Sequence, residues 1–237
     1  MTLLELFRLL SYGELSNLAI GCEGAGVIEE DAQPKLTSYV NETLLRLHSR
    51  FLLRENFLFL RQVEHLTYYY MLQRFARSAV TDPPCPNAPH AYILDNADEP
   101  FENDLIKILE IMDQQGCKLP LNDTEDPRSL FTPQPNLLQI PEPIADKVLS
   151  INYQARHPKL THTDVCQEID LPFALEGALR AHVAYQVFSH IGTAESTAKA
   201  AEHLNNYEQI CAEITDMDIV SQSTSTTPVK FSARGFI

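Results

Sequence analysis

The stretch that decides the fold is DLPFALEGALRAHVAYQVFSHI, residues 170–191. Asp170 ahead of Pro172 is a helix-start signal, a side-chain acceptor followed by a residue that fits the first turn. From Phe173 to Ile191 nearly every position is apolar or small, including Leu175, Ala178, Leu179, Val183, Ala184, Val187 and Phe188. A helix apolar on almost all sides is buried centrally or between subunits. Gly192 predicts its end, and Thr193 the cap of a second helix reaching about Thr215, with Ala198, Ala201, Leu204, Cys211 and Ile214 along one line. So short a turn predicts an antiparallel helix hairpin.

Working outward, the front of the chain is helical too. Leu3, Leu6, Phe7 and Leu10 share one face between a capping Thr2 and a terminating Gly13. Residues 13–34 read as a loop, whose Gly21, Gly24 and Gly26 sit beside acids and lack the Lys-Ser/Thr of a phosphate cradle. Pro34 opens a second helix through Leu36, Val40, Leu44, Leu47 and Phe51 to about Leu53, with Arg46, Arg50 and Arg54 on another face. Beyond Arg54 the residues turn aromatic and β-prone. Residues 57–60 and 66–72 predict two strands joined by a polar turn, with a helix over 57–77 as the competing reading. Further short strands are predicted at 92–94, 105–112, 137–140 and 148–155, with a hairpin turning at Gly116 towards 117–121 and a loop over 122–136. The expected fold class is therefore α+β: an antiparallel helical bundle (1–54 and 161–217) with a small inserted antiparallel β-subdomain (55–160) and an extended C-terminal arm (218–237).

The arm has its own logic. After Asp218 there are no acids, and Lys230 and Arg234 are the only charges on side chains. The preceding chain carries the other 16 basic residues against all 32 acidic ones, a charge of −16. The Ser/Thr/Gln-rich spacer cannot offset its own ordering entropy. The residues after it, Pro228, Val229, Lys230, Phe231, Arg234, Gly235, Phe236 and Ile237, are apolar, basic and β-like. That pattern predicts a docking arm that orders on a partner, with strand addition to a sheet edge as the mode and an acidic neighbour as the favoured surface.

A net charge of −14 argues against wrapping DNA or binding an anionic membrane. No apolar run approaches the ~20 residues of a membrane span, and the start of the chain lacks the pattern of a signal peptide. Cys22, Cys85, Cys117, Cys166 and Cys211 are odd in number, widely spaced and without C-x-x-C, which fits neither a disulfide framework nor a zinc site. Three groups of residues could carry chemistry. His182 and His190 on the central helix read as core histidines or as residues facing another subunit. His157 and His162 flank a loop with Asp164 and Cys166, where a Cys/His nucleophile would need an activated thiol. Ten carboxylates in 95–126, among them Asp98 and Glu102, face only Lys107 and Lys118 and offer the one route to a carboxylate-dependent hydrolase. No cofactor or metal is expected, and an assembly protein is favoured over an enzyme.

The layout resembles the head-to-tail adaptors of tailed bacteriophages, the tail tubular protein A and head-completion connector group. The residues that carry the likeness are Met1-Thr-Leu-Leu-Glu-Leu6, and Ile169-Asp-Leu-Pro172 followed by the helix through Glu176-Gly-Ala-Leu179 and His182-Val-Ala-Tyr185. The resemblance implies a virion neck or tail protein, made in the host cytoplasm, that forms a ring of twelve copies between the portal protein and the tail tube or nozzle. DNA passes through such a ring without specific binding, and no membrane is involved. Leu175, Leu179, His182, Val183 and Tyr185 would pack between subunits, and the arm would dock on the portal. Another neck or tail-completion protein is the alternative within the same class.

Overall fold

The structure is a computed structural model that describes residues 1–16, 18, 28–79, 91–96 and 98–220. Thr2 opens α1 (Leu3–Tyr12) through a reciprocal cap. The Glu5 amide donates to Thr2 Oγ1 at 3.2 Å and the Thr2 amide to Glu5 Oε2 at 2.8 Å, so two otherwise orphaned donors are satisfied. Gly13 closes the helix. α2 (Gln33–Arg50) has Pro34 in its first turn and stops short of the expected Leu53, because Phe51 leaves the helix in an extended conformation.

The decisive stretch forms a 3-10 turn at Phe173–Leu175 and then α3 (Glu176–Ser189). Asp170 does not cap it. The Asp170 amide is bound to His157 Nε2 at 3.0 Å, and the helix is entered through the Leu175 amide donating to the Pro172 carbonyl at 2.8 Å. Gly192, at φ +77°, makes the turn to α4 (Ala194–Asp216), capped by Thr193 with Ser196 in a second reciprocal box. A residue with a Cβ is strained at that φ, which is why glycine suits the hairpin. α3 lies chiefly against α4 and also contacts α2 and α1. Their apolar faces share one core with Leu3, Leu6, Leu44, Leu47, Leu179 and Val183 at its centre.

Between α2 and α3 the described residues form seven strands: β1 (Glu55–Arg61), β2 (Tyr68–Tyr70), β3 (Ile93–Leu94), β4 (Leu105–Met112), β5 (Phe131–Gln134), β6 (Leu137–Gln139) and β7 (Val148–Ala155). They form two antiparallel sheets, one ordered β3-β1-β7-β4 and the other β2-β6-β5. The strands predicted at 57–60 and 66–72 exist but are not partners. β1 pairs with β7 and β3, and β2 with β6 in the other sheet. Residues 122–136, expected as loop, contain β5, and 117–121 contribute only isolated bridges to Met112 and Leu130.

The expectation of a helical bundle with a small inserted β-subdomain is therefore corrected. The molecule is a mixed α/β protein, four helices beside two antiparallel sheets among the described residues. The sheets enclose a core of their own, built on Leu58, Leu60, Tyr69, Ile111, Leu138 and Ile151. Strand alternation supplies it: Leu58 and Leu60 point in while Phe57 and Phe59 point out. A short seam joins the two cores. The Gln154 side-chain amide of β7 donates to the carbonyls of His48 and Phe51, and the Ala155 amide donates to the Arg54 carbonyl at 2.9 Å. Both carbonyls near the end of α2, His48 and Phe51, thus find a partner on the sheet instead of in water.

Candidate docking surface

In an antiparallel strand, alternate residues direct their amide and carbonyl groups to opposite edges. Ala155 bonds Arg54, and the Gln62 amide donates to the Lys147 carbonyl at 2.8 Å, so even-numbered residues of β1 face β7. Glu55, Phe57, Phe59 and Arg61 face the other edge. There β3 covers only the far end, pairing Leu94 with Phe59 and Ile93 with Leu60. Among the described residues no strand covers Glu55–Leu58 on that side.

Beside this open edge is a cleft of about 420 Å³. One wall is the outward face of β1, where Phe57 and Phe59 are 56% and 51% exposed. The other is the segment from β3 to β4, which contributes Asp95, Asp98, Glu99, Glu102 and Asp104. Arg54 is the one cation on the lining. Two of the five acids are engaged. Asp95 accepts from the Ser78 amide and hydroxyl and from the Phe101 amide at 2.9 Å. Burial pushes its carboxyl up, but those hydrogen bonds outweigh burial and hold it below the ordinary carboxylate range. Asp104 accepts from Tyr153 Oη at 2.9 Å and from the Asn56 side chain at 3.3 Å. Asp98, Glu99 and Glu102 are exposed and take part in none of the ion pairs among the described residues. Among the described residues the cleft thus combines aromatic surface, a strand edge with no strand beside it, whose Phe57 amide is held by the Asn56 side chain at 2.9 Å, and acids outside any ion pair.

A second polar cluster is internal. His182 is 2% exposed between α2, α3 and α4. Its Nε2 lies 3.2 Å from Arg46 Nη1, which can only donate, so Nε2 accepts. The proton then sits on Nδ1 and goes to Thr43 Oγ1 at 2.9 Å, and the Thr43 hydroxyl donates to the Tyr39 carbonyl at 2.8 Å. Burial first, then the Arg46 charge, pushes the imidazole down to about 4. Arg46 and Arg50 converge on Glu208 at 3.5 and 2.6 Å and lie over the Tyr207 ring. His182 is a neutral structural link, not an exposed base.

The expected site residues fall in three places. Leu175, Leu179 and Val183 are fully buried in the chain's own core with His182, so their surface is already spent on α1, α2 and α4; Tyr185 is half-buried. Pro228, Val229, Lys230, Phe231, Arg234, Gly235, Phe236 and Ile237 lie outside the described residues. No hydrogen bond joins Cys166 to His157 or His162 among the described residues. His157 is buried, its Nδ1 held 2.6 Å from the Pro158 carbonyl and its Nε2 by Asp170, while Cys166 is exposed. His190 Nδ1 lies 2.7 Å from the Gln186 carbonyl of its own helix. No group of three or more metal-ligating side chains occurs among the described residues, and no described helix is long and apolar enough to cross a membrane. The open edge of β1 was missed in sequence, where only the acid-rich run 95–126 and the aromatic alternation of 57–60 signalled it. No protein-family model matches the chain, and no curated protein matches it.

Proposed function

We propose that this protein is a structural head-to-tail adaptor of a tailed-phage virion, a subunit that joins others in a ring between the portal protein and the tail around the DNA channel. The observation that carries the reading is the cleft beside β1. Aromatic side chains half open to solvent, an unpaired strand edge and an unneutralised acid wall together form a surface that one copy alone leaves unfinished. Interfaces are built from such aromatic patches and sheet edges. The acidic body also suits a conduit, since a negative wall does not hold DNA in transit.

The test is co-expression with the portal protein of the same virion. The full chain is expected to co-purify with portal rings. A chain ending at Pro228 is expected to stay folded, with an unchanged circular dichroism spectrum, and to lose that association. Normal attachment by the truncated chain would sink the role given to the arm, and failure of the full chain to meet any portal or tail component would sink the adaptor reading.

A further inference from the structure

We infer that the cleft at the open edge of β1 is the receptor for the C-terminal arm of a second copy of this chain, which adds to the sheet as an extra strand. The inference deepens the ring-forming reading and rests on it; the arm then serves portal attachment through the ring it closes and not as a direct portal contact. Three properties of the cleft match three properties of the arm.

The first is backbone. Among the described residues Glu55–Leu58 lack a neighbouring strand over about 13 Å, the length of four extended residues, and the Phe57 amide turned to that edge is held only by the adjacent Asn56 side chain at 2.9 Å, a contact that an incoming strand would replace. Lys230–Ala233 would fill it. The second is the side-chain pattern. Val229, Phe231 and Ala233 alternate with Lys230, Ser232 and Arg234, so an extended arm has one apolar and one basic face. Phe57 and Phe59 point to the outer face of the sheet, beside which Val229 and Phe231 would lie. The third is charge. Lys230 and Arg234, on the other face of the arm, would bring positive charge to the cleft lined by Asp98, Glu99 and Glu102, which take part in no ion pair among the described residues. Bodies of net negative charge repel one another, and the acid-free arm with Lys230 and Arg234 is a part of the chain that another body attracts.

A receptor and its complement on different parts of one chain make a heterologous contact. Repeated from copy to copy, such a contact closes into a ring when the rotation permits.

The experiment titrates a fluorescein-labelled peptide of residues 228–237 into the full-length chain and follows anisotropy. Saturable binding is expected, weakened by added salt and reduced about tenfold or more by Asp98→Lys with Glu99→Lys. A peptide carrying Lys230→Glu and Arg234→Glu should fail on the native chain and bind the charge-reversed one. Such rescue excludes misfolding as the cause of the loss. Absence of saturable binding, or binding indifferent to the cleft charges, would overturn the proposal. Sedimentation then separates a neighbour's arm from the chain's own. Full-length protein with the reversed cleft and full-length protein with the reversed arm are each mismatched with their own kind and should stay monomeric alone, whereas in a mixture each arm meets the other's cleft and larger species should form. A mixture that stays monomeric while the peptide binds would place the arm on its own body and overturn the neighbour assignment. Loss of portal attachment on truncation, with no peptide binding, would overturn the cleft alone and leave the adaptor reading standing.

Discussion

At His182 the hydrogen bonds settle the protonation state, and that has a consequence in acid. The folded imidazole is held near 4 by burial and Arg46, whereas a free histidine titrates near 6.5. His48 is likewise pushed down to about 4, by burial and then by His157. The unfolded chain therefore takes up protons first as pH falls. Stability present above about pH 6.5 is lost progressively towards pH 4, by up to about 3 kcal/mol for each residue. Thermal melts at pH 7, 6 and 5 should show a steady fall in Tm. His182→Gln should be less stable at pH 7 and show a shallower pH dependence. A melting temperature flat over that range would refute the neutral assignment. The tautomer itself was out of reach in the sequence, because Thr43 and Arg46 meet His182 only once α2 and α3 pack.

Among the elements, those legible in the sequence are the ones whose signals are local. Thr2 with Glu5, Pro34, and Gly192 with Thr193 lie within a turn of the helix ends they define, and each end falls where those residues place it. Thr193→Ala should cost about 1 kcal/mol through the lost cap. Gly192→Ala should cost a similar ~1 kcal/mol through the left-handed φ. Chemical denaturation of each variant checks both, and an unchanged midpoint for either would show that the turn tolerates the loss. Asp170 misled because its residue type suits a cap, whereas the helical turn begins only at Phe173, after an extended Pro172. Strand partners were not legible either. β1 and β2 are close in sequence, yet β1 pairs across to β7 and β2 to β6, choices made by the packing of two sheets and not by the turn between the strands. β5 was hidden by Pro133 within a polar run.

Over the whole molecule, the apolar helix at 173–191 had two readings, a core helix or an inter-subunit one. Leu175, Leu179 and Val183 side with the core, since α1, α2 and α4 cover them within one copy. The open aromatic surface lies instead in the β half, with Phe57, Phe59 and the acids beside them. An assembly by this route would be sensitive to ionic strength: light scattering of full-length protein should show larger species at low salt than at high salt, and the reverse order would exclude a charge-led contact. The division into two cores joined through Gln154 also has a mechanical meaning. Gln154→Leu would leave the His48 and Phe51 carbonyls without their shared donor and is expected to cost about 1–3 kcal/mol. It should broaden the unfolding transition if the halves then melt separately, which calorimetry would reveal.

The unpaired stretch Glu55–Leu58 is a hazard before it is an interface. Two free subunits can in principle zip along that edge in the wrong pairing and precipitate. On the proposed reading, the carboxylates beside it would act as gatekeepers, holding like-charged edges apart. Asp98→Asn with Glu99→Gln should therefore yield folded protein that aggregates on storage at neutral pH, with turbidity appearing sooner than for the native chain. Should that variant stay as clear as the native protein, the acids would have no protective duty.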